Sequence, residues 1–226
     1  MTKIGKKYKE AKKLVDRNKK YSIQEAVDLA IKSNYAKFNT SVDVNIKTFA
    51  DPKYNDQIVR ATTVLPHGTG KSVKIAAFVS DEMIEQAKKY GADIVGSADL
   101  LKKIEGGEIN FDILVTTTDM MKDLAKVAKT LGPKGLMPSP KAGTVTNDLE
   151  STITEIKKGR VEFKTDKTGN INVGVGKIKF KPEQLVENIS ALLTAIEQNK
   201  PTGVKGKLIK KMVISSTMGP GIQIDI

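Results

Sequence analysis

The chain has 226 residues, 39% hydrophobic and 28% charged, with no cysteine, a single histidine and a net charge of +12. This suits a soluble protein of one large or two small domains, and it excludes thiolate metal centres, iron–sulfur clusters, thiol nucleophiles and two-histidine metal motifs. So basic a balance points to a polyanion, most often nucleic acid; since only Arg17, Arg60 and Arg160 are arginine, phosphate attraction by lysine outweighs bidentate base reading.

The basic start, Met1-Thr2-Lys3-Ile4-Gly5-Lys6-Lys7, leads into no apolar run, so no secretory leader is expected and the protein is placed in the cytosol. No segment approaches the roughly 20 apolar residues of a membrane span, so no membrane partner is expected. Residues 3–17 read as a basic helix with Tyr8, Ala11, Leu14 and Val15 as its apolar stripe. Ser22-Ile23-Gln24-Glu25 is a capping box opening a helix through Ala26, Val27, Ala30 and Ile31. Alternation of Val42, Val44, Ile46 and Thr48 with polar residues predicts a half-buried strand over 41–49. Residues 58–65 read as its antiparallel neighbour across the Asp51-to-Gln57 loop. Pro66-His67-Gly68-Thr69-Gly70 then breaks the chain, a first candidate hinge at Pro66, Gly68 and Gly70.

The middle changes style. Strands at 73–79, 94–95 and 111–115 alternate with helices at 81–90, 97–105 and 119–131, the last with Met121, Leu124, Ala128 and Leu131 on one face. This alternation predicts an α/β unit with a parallel sheet. The segment Leu131 to Thr144 holds three prolines and three glycines and can be neither helix nor long strand. A helix over 148–158 leads to Gly159, the second candidate hinge.

Beyond it, residues 161–165, 166–170 and 171–173 read as strand, hairpin turn and strand. Pro182 to Asn199 is the clearest helix, with Leu185, Val186, Ile189, Leu192, Leu193 and Ile196 on one face. Lys207 to Ser216 reads as a strand, Thr217-Met218-Gly219-Pro220-Gly221 as a loop, and Ile222 to Ile226 as a closing strand. The two chain ends therefore suggest an antiparallel α+β unit.

Charge divides the chain the same way. Residues 1–67 carry 14 basic and 7 acidic side chains, residues 68–159 carry 13 of each, and residues 160–226 carry 11 and 6. A neutral middle between basic ends predicts one basic α+β domain built from 1–67 plus 160–226, with an α/β domain, 68–159, inserted into it.

Enzymatic motifs fail. Gly70-Lys71-Ser72 resembles the end of a P-loop, but the first glycine is replaced by Leu65 and a strand follows. No Gly-x-Gly-x-x-Gly follows the first middle strand, so dinucleotide binding is not expected. No catalytic residue, metal or cofactor is assigned. Three segments suit RNA instead. Lys37-Phe38-Asn39-Thr40-Ser41 sets an aromatic beside a cation and hydroxyls; Lys167 and Thr168 sit in the hairpin turn; Ser215-Ser216-Thr217-Met218-Gly219 offers small hydroxyls and bare backbone. Taken alone, the Phe38 segment reads first as a core aromatic and the closing loop first as a plain turn, and the hairpin is equally an ordinary solvated turn.

Leu131-Gly132-Pro133-Lys134-Gly135-Leu136-Met137-Pro138-Ser139-Pro140-Lys141-Ala142-Gly143-Thr144-Val145 closely resembles the signature of the bacterial large-subunit ribosomal protein L-one family. Leu65 to Lys71, Phe163 to Gly169 and Thr217 to Pro220 match the family in order, and the likeness spans essentially the whole chain. The resemblance implies a two-domain protein, with a Rossmann-like domain inserted between the ends of an RNA-binding domain. It implies a ribosomal location and binding to the large-subunit rRNA stalk beside the exit site, with help in releasing deacylated tRNA. It also implies repression of the protein's own mRNA, whose leader mimics the ribosomal site, and a monomer off the ribosome. Carried over by motif, the RNA contacts fall on Lys37, Phe38 and Ser41, on Lys164, Asp166, Lys167 and Thr168, and on Thr217, Met218 and Gly219, with Glu25 a weaker candidate. The chain departs from the family at Asn39-Thr40, where acids are common, and at Lys211, where a hydroxyl is. A non-ribosomal RNA- or DNA-binding regulator is the alternative.

Overall fold

The computed structural model describes residues 5–16 and 18–225. In chain order its elements are α1 (Lys6–Lys13), α2 (Ile23–Lys32), β1 (Ser41–Thr48), β2 (Arg60–Val64), β3 (Ile75–Phe78), α3 (Ile84–Lys89), β4 (Ile94–Gly96), α4 (Ala98–Glu105), β5 (Ile113–Thr116), α5 (Met121–Leu124), α6 (Ala128–Leu131), α7 (Leu149–Lys158), β6 (Arg160–Lys164), β7 (Asn170–Lys177), α8 (Pro182–Gln198), β8 (Ile209–Ser216) and β9 (Ile222–Ile224). The chain divides into two compact units, Met1–Gly70 with Val161–Ile226, and Lys71–Arg160.

In the first unit a four-stranded antiparallel sheet runs in the order β7-β1-β8-β9. β1 lies at its heart, paired with β7 from Ser41↔Lys177 to Lys47↔Asn170 and with β8 from Val42↔Ser216 to Thr48↔Ile209. Its alternation does what a period of two requires. Val42, Val44 and Ile46 turn to a core shared with Val27 and Ala30 of α2 and Leu185, Ile189, Leu192 and Ile196 of α8, while Ser41, Asp43, Asn45 and Lys47 face the other way. The capping box forms: Glu25 N–H donates to Ser22 Oγ at 3.3 Å and Ser22 N–H to Glu25 Oε2 at 3.1 Å.

Three expectations are corrected here. Residues 58–65 do not pair with β1; β2 pairs with β6 in a separate two-stranded sheet, because both edges of β1 are already taken by β7 and β8. The strands flanking the 166–170 turn likewise part company after a single bridge, Thr165↔Ile171, one joining β2 and the other β1. The first helix stops at Lys13, with Leu14 as its C-cap and 54% exposed, so Leu14 is no part of the buried stripe. The helix expected over 3–17 and the strand ending at 226 reach past the described residues at Lys3, Ile4, Arg17 and Ile226.

The second unit has a three-stranded parallel sheet, order β4-β3-β5, with helices on both faces. Ala76, Phe78 and Leu114 pack against Leu100 and Ile104 of α4 and against Leu124, Val127 and Leu131. Ile75, Ala77, Val79 and Val115 pack against Ala87 of α3 and Leu149, Ile153 and Ile156 of α7. Burial on both faces is why β3 reads as an unbroken apolar run. The helix expected over 119–131 is broken into α5, a 3₁₀ turn at Ala125–Val127, and α6. In a 3₁₀ turn residues three apart eclipse, so Leu124 and Val127 share the buried side and Ala128 is rotated partly out. The Pro/Gly segment lies beside β5: Thr116 N–H donates to Thr144 O at 2.9 Å and Thr146 N–H to Thr116 O at 3.0 Å. Gly143 is left-handed, with φ 61°, and a Cβ there would lie 2.0 Å from Arg160 Nη2.

Candidate nucleic-acid interface

The loop after β8 is clipped to the start of β1 and to the chain just before it. Thr217 N–H donates to Ser41 O at 3.1 Å, and Thr217 Oγ1 accepts from Ser41 N–H at 3.0 Å. The Tyr35 hydroxyl donates to Met218 O at 2.8 Å. Lys177, which register sets opposite Ser41, donates from Nζ to Ser41 Oγ at 2.9 Å. Gly219 folds back on the strand, its N–H donating to Ser216 O at 2.9 Å. It is a glycine for want of room: a Cβ there would sit 2.2 Å from Ser216 Oγ, a buried hydroxyl without a partner among the described residues.

Residues 34–40 are held from beneath. Asn34 Oδ1 accepts from Ala36 N–H at 3.3 Å and from the buried Thr40 hydroxyl at 3.4 Å. Lys37 and Phe38 are left on the outside, Phe38 56% exposed, as Met218 is at 51%. An open cleft of about 700 Å³ is lined by Gly5, Lys6, Lys7, Tyr8, Tyr35 and the 217–219 loop. One end of the sheet thus gathers Ser41, Thr217, Met218 and Gly219, beside Lys37 and Phe38 in chain and with Lys6, Lys7 and Lys177 as added cations. The hydroxyls of Ser41 and Thr217 are already engaged with Lys177 and with the β1 backbone.

The 164–168 group lies elsewhere. Asn170 pairs with Lys47, so the turn sits at the opposite end of β1 from Ser41, roughly 20 Å away at about 3.3 Å per residue. Lys164 and Lys167 are exposed. Asp166 and Thr168 instead build the turn. Asp166 Oδ1 accepts from Thr168 N–H at 2.8 Å, Thr168 Oγ1 at 2.7 Å and Asn170 N–H at 2.8 Å. These bonds, the Asn170 N–H first and the Thr168 hydroxyl next, hold its carboxyl at a pKa of about 2. Gly169, at φ 77°, passes so close to β1's exit that a Cβ would stand 2.8 Å from Ala50 O; its carbonyl accepts from the Thr48 hydroxyl at 2.8 Å. Glu25 is held below the usual carboxylate range by the Ser22 N–H and hydroxyl, so its charge serves the cap of α2.

At the candidate hinges, Gly68 and Gly70 have φ 65° and 67°, and Gly159 is the left-handed cap of α7 at 106°. Pro66 lies in the turn closed by Gly68 N–H on Leu65 O at 3.0 Å. Buried Asn188 of α8 ties this turn down: its Oδ1 accepts from His67 N–H at 3.1 Å, and its Nδ2 donates to Gly68 O at 3.0 Å and to Val175 O at 2.8 Å. The sequence did not point to Tyr35, Lys177 or Asn188. Tyr35 stands two residues before Lys37; the other two follow only from register and packing.

The unit carrying these features holds 24 basic and 13 acidic side chains, a net of +11 of the chain's +12. Among the described residues no three of His, Cys, Asp and Glu gather as a metal site, and no helix is long and apolar enough to cross a membrane.

Residues 30–220 match the model of the Ribosomal protein L1p/L10e family. Over all of this chain and 97% of each relative, the sequence is 52% identical to the large ribosomal subunit protein uL1 of Thermosipho melanesiensis and 53% to that of Thermosipho africanus. Against the protein of the same name from Fervidobacterium nodosum identity is 49%, with the same coverage.

Proposed function

The chain belongs to the Ribosomal protein L1p/L10e family, and on that footing we propose that it is a structural, non-enzymatic constituent of the cytoplasmic large ribosomal subunit that binds the rRNA stalk beside the exit site. The observation that carries this reading is the clip of Thr217 and Met218 onto Ser41 and Tyr35. It sets an exposed methionine, bare glycine backbone and lysines at one rigid sheet end, in a unit that holds nearly all the net charge. Lysine–phosphate attraction supplies affinity, and the fixed loop supplies position.

On the same reading the unit from both chain ends is the RNA-binding domain, and Lys71–Arg160 is a Rossmann-like insertion that turns on the hinges and meets exit-site tRNA, assisting its release. A leader of the protein's own mRNA shaped like the stalk site would take the same surface, repressing translation. The test is binding of the full chain to a stalk rRNA fragment against a scrambled RNA of equal length. Preference for the stalk, reduced in folded Met218→Asp and Thr217→Val, is expected, with the mRNA leader competing. Equal binding to both RNAs, unaffected by either substitution, would leave a generic basic surface.

A further inference from the structure

Of the six phenylalanines, Phe78, Phe111 and Phe163 are buried and Phe180 is partly buried against the core of its unit. The two that stay exposed, Phe38 and Phe49, flank the same strand: Phe38 precedes β1 and Phe49 is the residue after its last. Phe38 belongs to the interface already described. Phe49 is equally exposed, at 56%, and Lys210 Nζ lies over its ring, 5.5 Å from the centroid. Its backbone is fixed, with Phe49 N–H donating to Leu208 O at 2.9 Å.

The surroundings are cationic. Lys47, Lys53, Lys167, Lys207, Lys210 and Lys211 are all exposed at this end of the sheet or on the loops that leave it. Two acids at this end, Asp166 and Asp51, hold backbone N–H groups, and the lysines outnumber the carboxylates around them. Asp166 accepts the N–H groups of the turn, and Asp51 Oδ1 accepts from Lys53 N–H at 3.1 Å. An exposed ring under one cation and rimmed by others matches a nucleotide: a base stacks on an aromatic ring while an ammonium meets the phosphate.

We propose that Phe49 and Lys210 form a second RNA contact at the far end of β1, where an unpaired base stacks on the Phe49 ring. This rests on the RNA-binding reading above. It extends that reading to a residue outside the 37–41, 164–168 and 217–219 segments.

The test uses the full chain and a stalk rRNA fragment. Phe49→Ala and Phe49→Leu should each weaken binding about 5- to 100-fold, the range expected for loss of one base–aromatic stack. Lys210→Gln should weaken it less. Phe49 is exposed and lies outside the core, so these variants should melt with wild type. Phe49→Trp should retain affinity, and as the only tryptophan in the chain its fluorescence should be quenched as RNA saturates the protein. Wild-type affinity in Phe49→Ala and Phe49→Leu, with Met218→Asp still impaired, overturns this contact while leaving the proposed function standing. It would turn attention to a protein neighbour. Failure of the wild-type chain to prefer stalk RNA would instead remove the reading beneath it, and the contact with it.

Discussion

Asn188 grips Gly68 across 120 residues of chain, its buried amide donating to the Gly68 carbonyl at 3.0 Å while accepting from His67 N–H. Gly68 is held by this bond, and Gly70, at φ 67°, has no room for a side chain, since a Cβ there would stand 2.9 Å from the Phe180 ring. Asn188→Leu keeps volume but strands three backbone groups, of which the Val175 carbonyl is fully enclosed. It should cost about 2 kcal/mol of unfolding free energy, read by chemical denaturation. A loss under about 0.5 kcal/mol, the lower end for one hydrogen bond, would show that water replaces the amide.

Tyr35→Phe removes the bond that fixes the Met218 carbonyl and nothing else that the described residues show. A neutral hydrogen bond contributes about 0.5–1.5 kcal/mol. Stalk RNA affinity should therefore fall roughly 2- to 10-fold, with the melting temperature little changed. Unchanged affinity would mean that the loop holds its shape through Thr217 alone.

Asp166 gives a pH signature. Its carboxyl titrates near 2 in the folded protein, below its ordinary value of about 3.9. A depressed carboxylate stabilises the fold above the ordinary value, and that contribution is lost as pH falls from about 4 to 2. Wild type should weaken through this window. Asp166→Asn should be less stable at pH 7 and flatter below pH 4. The flattening should be partial, because Glu25 and Asp148 are shifted in the same direction by their helix caps. Denaturation curves at pH 7, 4, 3 and 2 decide it.

Lysine-driven binding must respond to salt. The logarithm of affinity should fall linearly with the logarithm of salt concentration, by about 0.7–0.9 per phosphate neutralised. Lys37→Gln and Lys167→Gln, at opposite ends of β1, should each flatten that slope by about one contact. Binding that ignores salt would remove the electrostatic part of the reading.

Local chemistry was legible in the sequence where its cause was local. Ser22 and Glu25 announce their own cap, and the 3.6-residue period of α8 names its buried face from Leu185 to Ile196. Pairing was not legible, because it is decided by what else competes for an edge. Nothing within residues 58–65 says that β7 and β8 will already flank β1. The same limit applies at the candidate site. A motif names Asp166 and Thr168 as polar groups in a turn, but only the folded turn shows that they bond each other. Lys177 comes to Ser41 through a register set 136 residues away. The α5–α6 break leaves no mark in the sequence because a 3₁₀ turn keeps the apolar residues and alters only which of them point inward.

The stiffness of β1 has a consequence for what the protein can recognise. The strand is laced on both edges, and the Thr48–Gly169 contact locks its far end to the 166–170 turn. Phe38 and the Met218 loop at one end, and Phe49 and Lys167 at the other, are therefore held at a set separation along one bar. An RNA touching both binds best when it is already folded so that its own two contact points match that gauge, since it then loses less conformational freedom. On the proposed RNA-binding reading, such a surface would select for shape more than for the letters between. A random sequence rich in phosphate would satisfy one jaw of the caliper and miss the other.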